Sequence, residues 1–308
     1  MKRTNVLTEG AIFVAIYTVF LLITLYVPIL SVISIFFLST PFIIFGIRHG
    51  IKQSFVLLLA SIVMTFLVGS IVSLPIGLMF SVTGIIMAYF YRQKRQLFAL
   101  IGGTISLLIN FVLDYALSIV FLGVDLFSDV IQQTKSSVRE TLAAFPSMDE
   151  EMKKTMMEQM NEQFDLLMNL LPSMFVIVSF MLAAIIHILN IGIIKRLKLN
   201  VGTITPFRDW KFPKSIIWYY LIATLLMLIN LPKESFLNIA LYNIVFVLQA
   251  VLLIQGFSFI FYFCHVKKLS KAVPVLIVIG TFILPILLYP VRILGIIDLG
   301  FNLREKIR

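Results

Sequence analysis

Asn110 and Asp114 stand one helical turn apart in an otherwise apolar stretch, Leu97 to Leu122. At that spacing two side chains share one face of a helix, and an amide beside a carboxylate can hold a small polar solute. His187 and Asn190, three residues apart within Leu171 to Ile194, form a second pair of this kind. A charge in hydrocarbon is costly unless paired or wet, so all four are ligand-binding candidates by default. Each pair has a plainer reading. Asp114 could instead make a hydrogen bond that glues helices together, and a lone histidine near a helix end is more often structural than catalytic.

Other chemistry finds little support. The chain has no Walker A, HExxH or GxSxG sequence, which removes phosphate cradling in the P-loop manner and two common hydrolytic arrangements. Three scattered histidines and one cysteine, Cys264, make a metal centre improbable and an internal disulfide impossible. Asp114 and Asp298 are the only candidates for intramembrane aspartyl chemistry. Glu9, Asp298 and His265 are the only acids or bases placed for work at headgroup level. The expectation is a protein without catalytic residues, cofactor or metal. Ala11 and Ala15 form a small-xxx-small pattern, which allows close approach of a partner helix.

The elements that carry these residues follow from the apolar runs. Sixty per cent of the 308 residues are hydrophobic and 13% charged, against about a quarter charged in soluble proteins. No Asp, Glu, Lys, Arg or His occurs between Gly10 and Ile47 or between Gln53 and Tyr91. Each run is about twice the 20 residues a span needs, and Pro28 and Pro75 near their middles fold each into two helices. The reading is an all-α, polytopic integral membrane helix bundle of eight to nine spans. As nine they are Thr8 to Val27, Ile29 to Ile47, Ile51 to Val72, Leu74 to Tyr91, Leu97 to Leu122, Leu171 to Ile194, Ser215 to Leu231, Phe236 to Phe263 and Ala272 to Tyr289.

Sixteen of the 25 Lys and Arg residues fall on alternate loops, from Lys2 and Arg3 through Lys195 to Lys214 to Lys267, Lys268 and Lys271. That distribution puts the amino terminus on the cytoplasmic side of the cell membrane. It also assigns the net charge of +10 to anionic lipid rather than nucleic acid. Nine spans would leave Arg304, Lys306 and Arg308 on the other side. Pro285, Pro290 and Arg292 are therefore expected to break the last span into a partial or re-entrant helix and an interfacial one.

Between spans five and six, Asp125 to Asp165 carries nine acidic and four basic residues and reads as an extracytoplasmic helical hairpin over 125–168. Ser147 to Glu150 fits a capping box. Met148, Met152, Met156, Met160, Phe164 and Met168 form an apolar stripe at four-residue spacing. That stripe either packs on the preceding helix or offers an adaptable surface to an extracytoplasmic protein. The basic loop Lys195 to Lys214 divides a six-span domain, residues 1–198, from a three-span region, 199–308.

The order of features resembles the YybS-like family of polytopic membrane proteins of Bacillus and its relatives. It includes Met-Lys-Arg at the start, Thr8-Glu9-Gly10-Ala11 opening span one, Arg48-His49-Gly50 after span two, the acidic hairpin, and Leu294-Gly-Ile-Ile-Asp298-Leu-Gly-Phe-Asn302-Leu-Arg304 at the end. The resemblance implies no activity. The first six spans look, more distantly, like the substrate-binding subunits of energy-coupling factor transporters. That likeness implies a membrane coupling protein against Ala11 and Ala15; lacking a nucleotide motif, the chain would need an ATPase partner or an ion gradient. The expected function is a small-solute binding or transport subunit lacking its own ATPase; the alternative is a non-transporting scaffold or interaction protein of the cell envelope.

Overall fold

The structure, a computed structural model, describes residues 2–145, 149–229, 232 and 235–307, and among them every regular element is helical. In chain order the α-helices are α1 (Lys2–Tyr26), α2 (Pro28–Ser34), α3 (Thr40–His49), α4 (Ile51–Gly69), α5 (Leu74–Arg92), α6 (Gln96–Leu122), α7 (Leu126–Ala143), α8 (Glu150–Asn169), α9 (Leu171–Arg196), α10 (Ser215–Leu226), α11 (Phe236–Val266), α12 (Ala272–Ile283), α13 (Leu288–Phe301) and α14 (Leu303–Lys306). They fall into two compact units, Met1–Ala144 with Phe175–Ile204 and Phe145–Met174 with Thr205–Arg308.

In the first unit the two long uncharged runs fold back where their prolines stand. Val27 is extended because a proline follows it, and Pro28 occupies the first turn of α2, where its missing N–H costs nothing. A single 3-10 turn, Ile35–Phe37, then joins α2 to α3, and Pro41 lies in the first turn of α3. Gly50 turns α3 into α4 with φ +92°, and a Cβ there would strike the guanidinium of Arg92. Tyr17 is fully buried between α3 and α4, edge-on to Phe42 at 5.3 Å, with its hydroxyl 2.7 Å from Thr65 Oγ1. Thr83 and Ser106, 3.0 Å apart, tie α5 to α6. Phe111 and Phe175 stack at 5.9 Å between α6 and α9.

The expected hairpin contains two helices of 18 and 20 residues. α7 belongs to the first unit and α8 to the second. The expected capping box falls partly on Ser147 and Met148, which lie outside the described residues. In the described part Asp149 takes the N-cap position of α8, its carboxylate accepting the Glu151 N–H at 3.4 Å. Asp125 caps α7 more fully. Its carboxylate accepts the Ser128 N–H at 3.2 Å, the Ser128 hydroxyl at 2.7 Å and the Tyr115 hydroxyl at 3.2 Å.

In the second unit the last span breaks before Pro285 as expected, and the count falls short of the upper figure of nine. Seven helical stretches of the described chain are long and apolar enough to cross a membrane, or eight if the pair α12 and α13 counts as one bent span. Among the described residues a ninth is not found, for two reasons. The segment expected over Ser215 to Leu231 yields α10, only 12 residues long, or about 18 Å at 1.5 Å per residue against a core of about 30 Å. The segment expected over Ala272 to Tyr289 breaks at Leu284, with a 115° bend between its halves. Leu284 precedes Pro285, and steric conflict with the proline ring drives it to φ −115°, ψ 88°, out of the helical region. α13 then runs through Pro290 and Arg292 to Phe301.

Within this unit α11 and α13 cross at two glycines. A Cβ on Gly295 would collide with the Leu252 carbonyl, and one on Gly256 with that of Val291. Such close backbone approach is a common way for membrane helices to associate. Asn243 donates to the Asn169 carbonyl at 2.7 Å and accepts the Ser173 N–H at 2.9 Å, fastening α11 to the joint between α8 and α9.

Two predictions follow from these contacts. Gly295→Ala overpacks the crossing and should cost about 1–3 kcal/mol, whereas Gly280→Ala, with open space around the position, should leave the thermal midpoint of the purified chain unchanged or raised. For α7, the hydrogen bonds from Ser128 hold the Asp125 carboxyl below its usual range. A lowered folded pKa means stabilisation that is complete above about pH 4 and fades as pH falls further. The thermal midpoint of wild type should therefore hold its lead over that of Asp125→Ala above about pH 4 and fall toward it as pH is lowered further.

Candidate functional site

The inward face of α6 is marked by buried Leu100, Gly103, Leu107 and Ser118, at spacings of three, four and eleven residues that keep them on one helical stripe. Asn110 and Asp114 belong to that stripe and are both half-buried. The Asn110 amide donates to the Ser106 carbonyl of its own helix at 2.7 Å. Asp114 has no hydrogen-bond or ion-pair partner among the described residues. Phe111 and Tyr115, which flank the stripe, both pack on Phe175 of α9.

α9 presents Ser179, Ala183, Ile186, His187, Asn190 and Ile194 as its buried face. His187 Nδ1 lies 2.7 Å from the Tyr91 hydroxyl, with the two rings nearly parallel at 5.8 Å. Asn190 is fully buried; its amide donates to the Ile186 carbonyl at 2.9 Å, while Oδ1 has no partner among the described residues. The same holds for the buried Ser179 hydroxyl.

Helix pairing decides which candidates share a place. Gly103 lies opposite Ala183 and Phe111 opposite Phe175, so α6 and α9 run antiparallel. His187 therefore comes level with Ala99, fifteen residues before Asp114, or roughly 22 Å away along the axis. Asn110 and Asp114 stay together on α6, and His187 and Asn190 on α9, at opposite ends of the helix pair. The sequence reading passed over Tyr91 as the end of a span. The one signal for it was an aromatic hydroxyl at that end, and nothing in the order of residues joins positions 91 and 187.

Two further clusters involve residues distant in sequence. Glu9 of α1 is ion-paired with Arg48 and lies 2.7 Å from His49 Nε2, both at the end of α3. Beside that cluster α1 and α4 leave a groove of about 640 Å³, lined in part by Gly10, Ala11, Phe45, Gln53 and Ala60. Ala11 and Ala15 are both exposed.

The other cluster lies in the second unit around Asp298, which is fully buried. Its carboxylate accepts the Arg304 Nε–H at 3.0 Å, is ion-paired with Arg304 Nη2 at 2.9 Å, and accepts the Gln255 amide at 2.5 Å. Gln255 Oε1 in turn accepts the Phe212 N–H at 3.0 Å. Arg304 also donates to the Arg208 carbonyl at 2.7 Å and to Ser258 Oγ at 3.1 Å, and its guanidinium covers the Tyr262 ring at 5.3 Å. Lys211 reaches Asn302 at 3.0 Å. The basic tail is thus joined to the 205–214 loop at one end of the unit. That Gln255 and Arg304 share one carboxylate is not legible in sequence, because Asp298 lies 43 and 6 residues from them.

The two intramembrane carboxylates are therefore opposites, and mutation should separate them. Asp298→Ala strands the buried Arg304 and should cost about 3–5 kcal/mol, read as a large fall in thermal midpoint. Asp114→Asn removes no bond and should stay within about 0.5 kcal/mol of wild type.

No solved structure matches this chain. It is 32% identical over 310 residues to the Uncharacterized protein YybS of Bacillus subtilis (strain 168), with both chains covered in full. A family model described as predicted membrane protein (DUF2232) matches residues 15–299. With eleven-twelfths or so of its length inside that match, and with its apolar helices, this chain belongs to the DUF2232 family of membrane proteins.

Proposed function

We propose that the chain is a small-solute binding or transport subunit of the bacterial cytoplasmic membrane, with its amino terminus inside, and that Asn110 and Asp114 contact the solute. The observation that carries this reading is the unpaired state of Asp114. Asp298 is enclosed by Arg304 and Gln255, whereas Asp114 lies on the inward stripe of α6 with no partner among the described residues. An intramembrane carboxylate without a partner is the group a cationic or hydrogen-bond-donating solute would complete. His187 and Asn190, at the other end of α9, serve a second polar station, where Asn190 Oδ1 is free to accept. The chain is not an enzyme in this reading, and it carries no nucleotide motif. Its energy therefore comes from an ATPase or an ion gradient, with a membrane coupling protein seated against Ala11 and Ala15 beside the groove between α1 and α4.

The second reading, a cell-envelope scaffold, draws on α8. Met152 and Met156 are 56% and 46% exposed on a helix with no buried residue, an apolar, deformable surface suited to an extracytoplasmic partner.

A thermal-shift screen of the purified chain against small amines, nucleosides and vitamins tests the first reading. At a hundredfold excess over Kd a bound solute adds about 2.7 kcal/mol. At least one solute should raise the midpoint of wild type and leave that of Asp114→Asn unmoved, with equal amounts of both in the membrane. A solute that shifts both proteins equally would return Asp114 to a structural role. Loss of co-purifying proteins on deletion of 125–165, with solute shifts absent throughout, would favour the scaffold.

A further inference from the structure

Near the 205–214 loop of the second unit is a cavity of about 300 Å³ whose lining differs in character from the groove between α1 and α4. Arg208, His265, Ser270 and Lys271 supply polar groups to it, and Phe207 and Phe261 contribute aromatic wall. Lys271 and His265 are exposed, and neither side chain makes a hydrogen bond or ion pair among the described residues. Arg208 has only a loose partner, Asp209, at 3.6 Å on the surface, a contact of little worth in water. The Ser270 hydroxyl oxygen accepts the Ala272 N–H at 3.3 Å and still has its own proton to donate.

The wall that carries Arg208 is held in place from behind. Arg304 donates to the Arg208 carbonyl, and Ser258 lies 2.8 and 2.9 Å from the carbonyls of Phe207 and Trp210. α12, a 12-residue helix, starts at the cavity with Lys271 as its N-cap residue and no side chain capping its first turn from that position. The N-terminal end of a helix favours negative charge.

We propose that this cavity binds a phosphate group, and that its source is the headgroup of an anionic membrane lipid. Arg208 and Lys271 supply the positive charge, and Ser270 and His265 donate hydrogen bonds to the remaining oxygens. The aromatic wall of Phe207 and Phe261 receives the glycerol end of the lipid. Three features together favour a phosphate: cationic side chains with no strong internal partner, a hydroxyl donor, and a rigid backbone wall. A neighbouring basic pair, Lys267 and Lys268, lies outside the lining and separates a defined site from general surface charge. The site is independent of Asp114 and of any solute bound there.

Native mass spectrometry of the full chain in detergent, titrated with phosphatidylglycerol or phosphatidylcholine, provides the test. Each positive charge removed near a phosphate should weaken binding roughly fivefold. The double variant Arg208→Ala, Lys271→Ala should therefore bind phosphatidylglycerol far more weakly, while the low affinity for phosphatidylcholine is unchanged. Lys271→Gln alone, at an exposed position, gives the same answer in smaller measure if the double variant does not fold. Inorganic phosphate that fails to compete supports the lipid source; inorganic phosphate that displaces the lipid from wild type, but binds the double variant poorly, keeps the phosphate site and overturns the lipid source. Equal binding by wild type and the Arg208 and Lys271 variants would overturn the proposal. So would an equal loss in Lys267→Ala, Lys268→Ala.

Discussion

The fold depends on one constraint above others: inside hydrocarbon there is no water to complete a polar group, so each must find its partner within the chain. The Asp298 carboxylate shows how much structure one such group can organise. It gathers Arg304 from the tail and Gln255 from the middle of α11, and through them the backbone of the 205–214 loop. Removing the network would leave several buried donors and acceptors stranded at once. It therefore sets where α13 ends, and the break before Pro285 gives α13 the freedom to reach that place.

The same constraint makes the first unit informative by contrast. Its hydroxyls mostly turn back on carbonyls four residues earlier, as Thr18, Ser54, Thr65 and Ser81 do, an inexpensive way to satisfy a polar group inside an apolar helix. Tyr17 with Thr65 and Tyr91 with His187 are longer ties between helices. Among the described residues the buried oxygens of Thr40, Ser61, Ser179 and Asn190 are left without a partner, and Asp114 is the carboxylate in that position. The two candidate pairs stand apart from one another, because antiparallel packing of α6 on α9 sends them to opposite ends.

Glu9 with Arg48 and His49 illustrates a third use of charge. Two short motifs separated by about 40 residues meet where α1 begins and α3 ends. Each looked in sequence like a separate interfacial marker. Together they neutralise one another beside the groove between α1 and α4, so the end of that groove is polar without a net unpaired acid.

The order of apolar runs and prolines was enough to establish a helical membrane protein, the fold-backs at Pro28 and Pro75, and the weak point at Pro285. Those properties are local: the length of an uncharged run and the backbone limits of proline act within a few residues. The candidates Asn110, Asp114, His187 and Asn190 could be named from sequence for the same reason, since each is conspicuous against its own helix. Whether Asp114 or Asp298 is the paired carboxylate could not be read there. Nor could the 22 Å, or about that, that divides the two candidate pairs, or the shortness of α10 against its apolar continuation. Each of these depends on which helices become neighbours and in which direction they run. Pairing across 43 or 96 residues is settled by packing, and only the tertiary structure decides it.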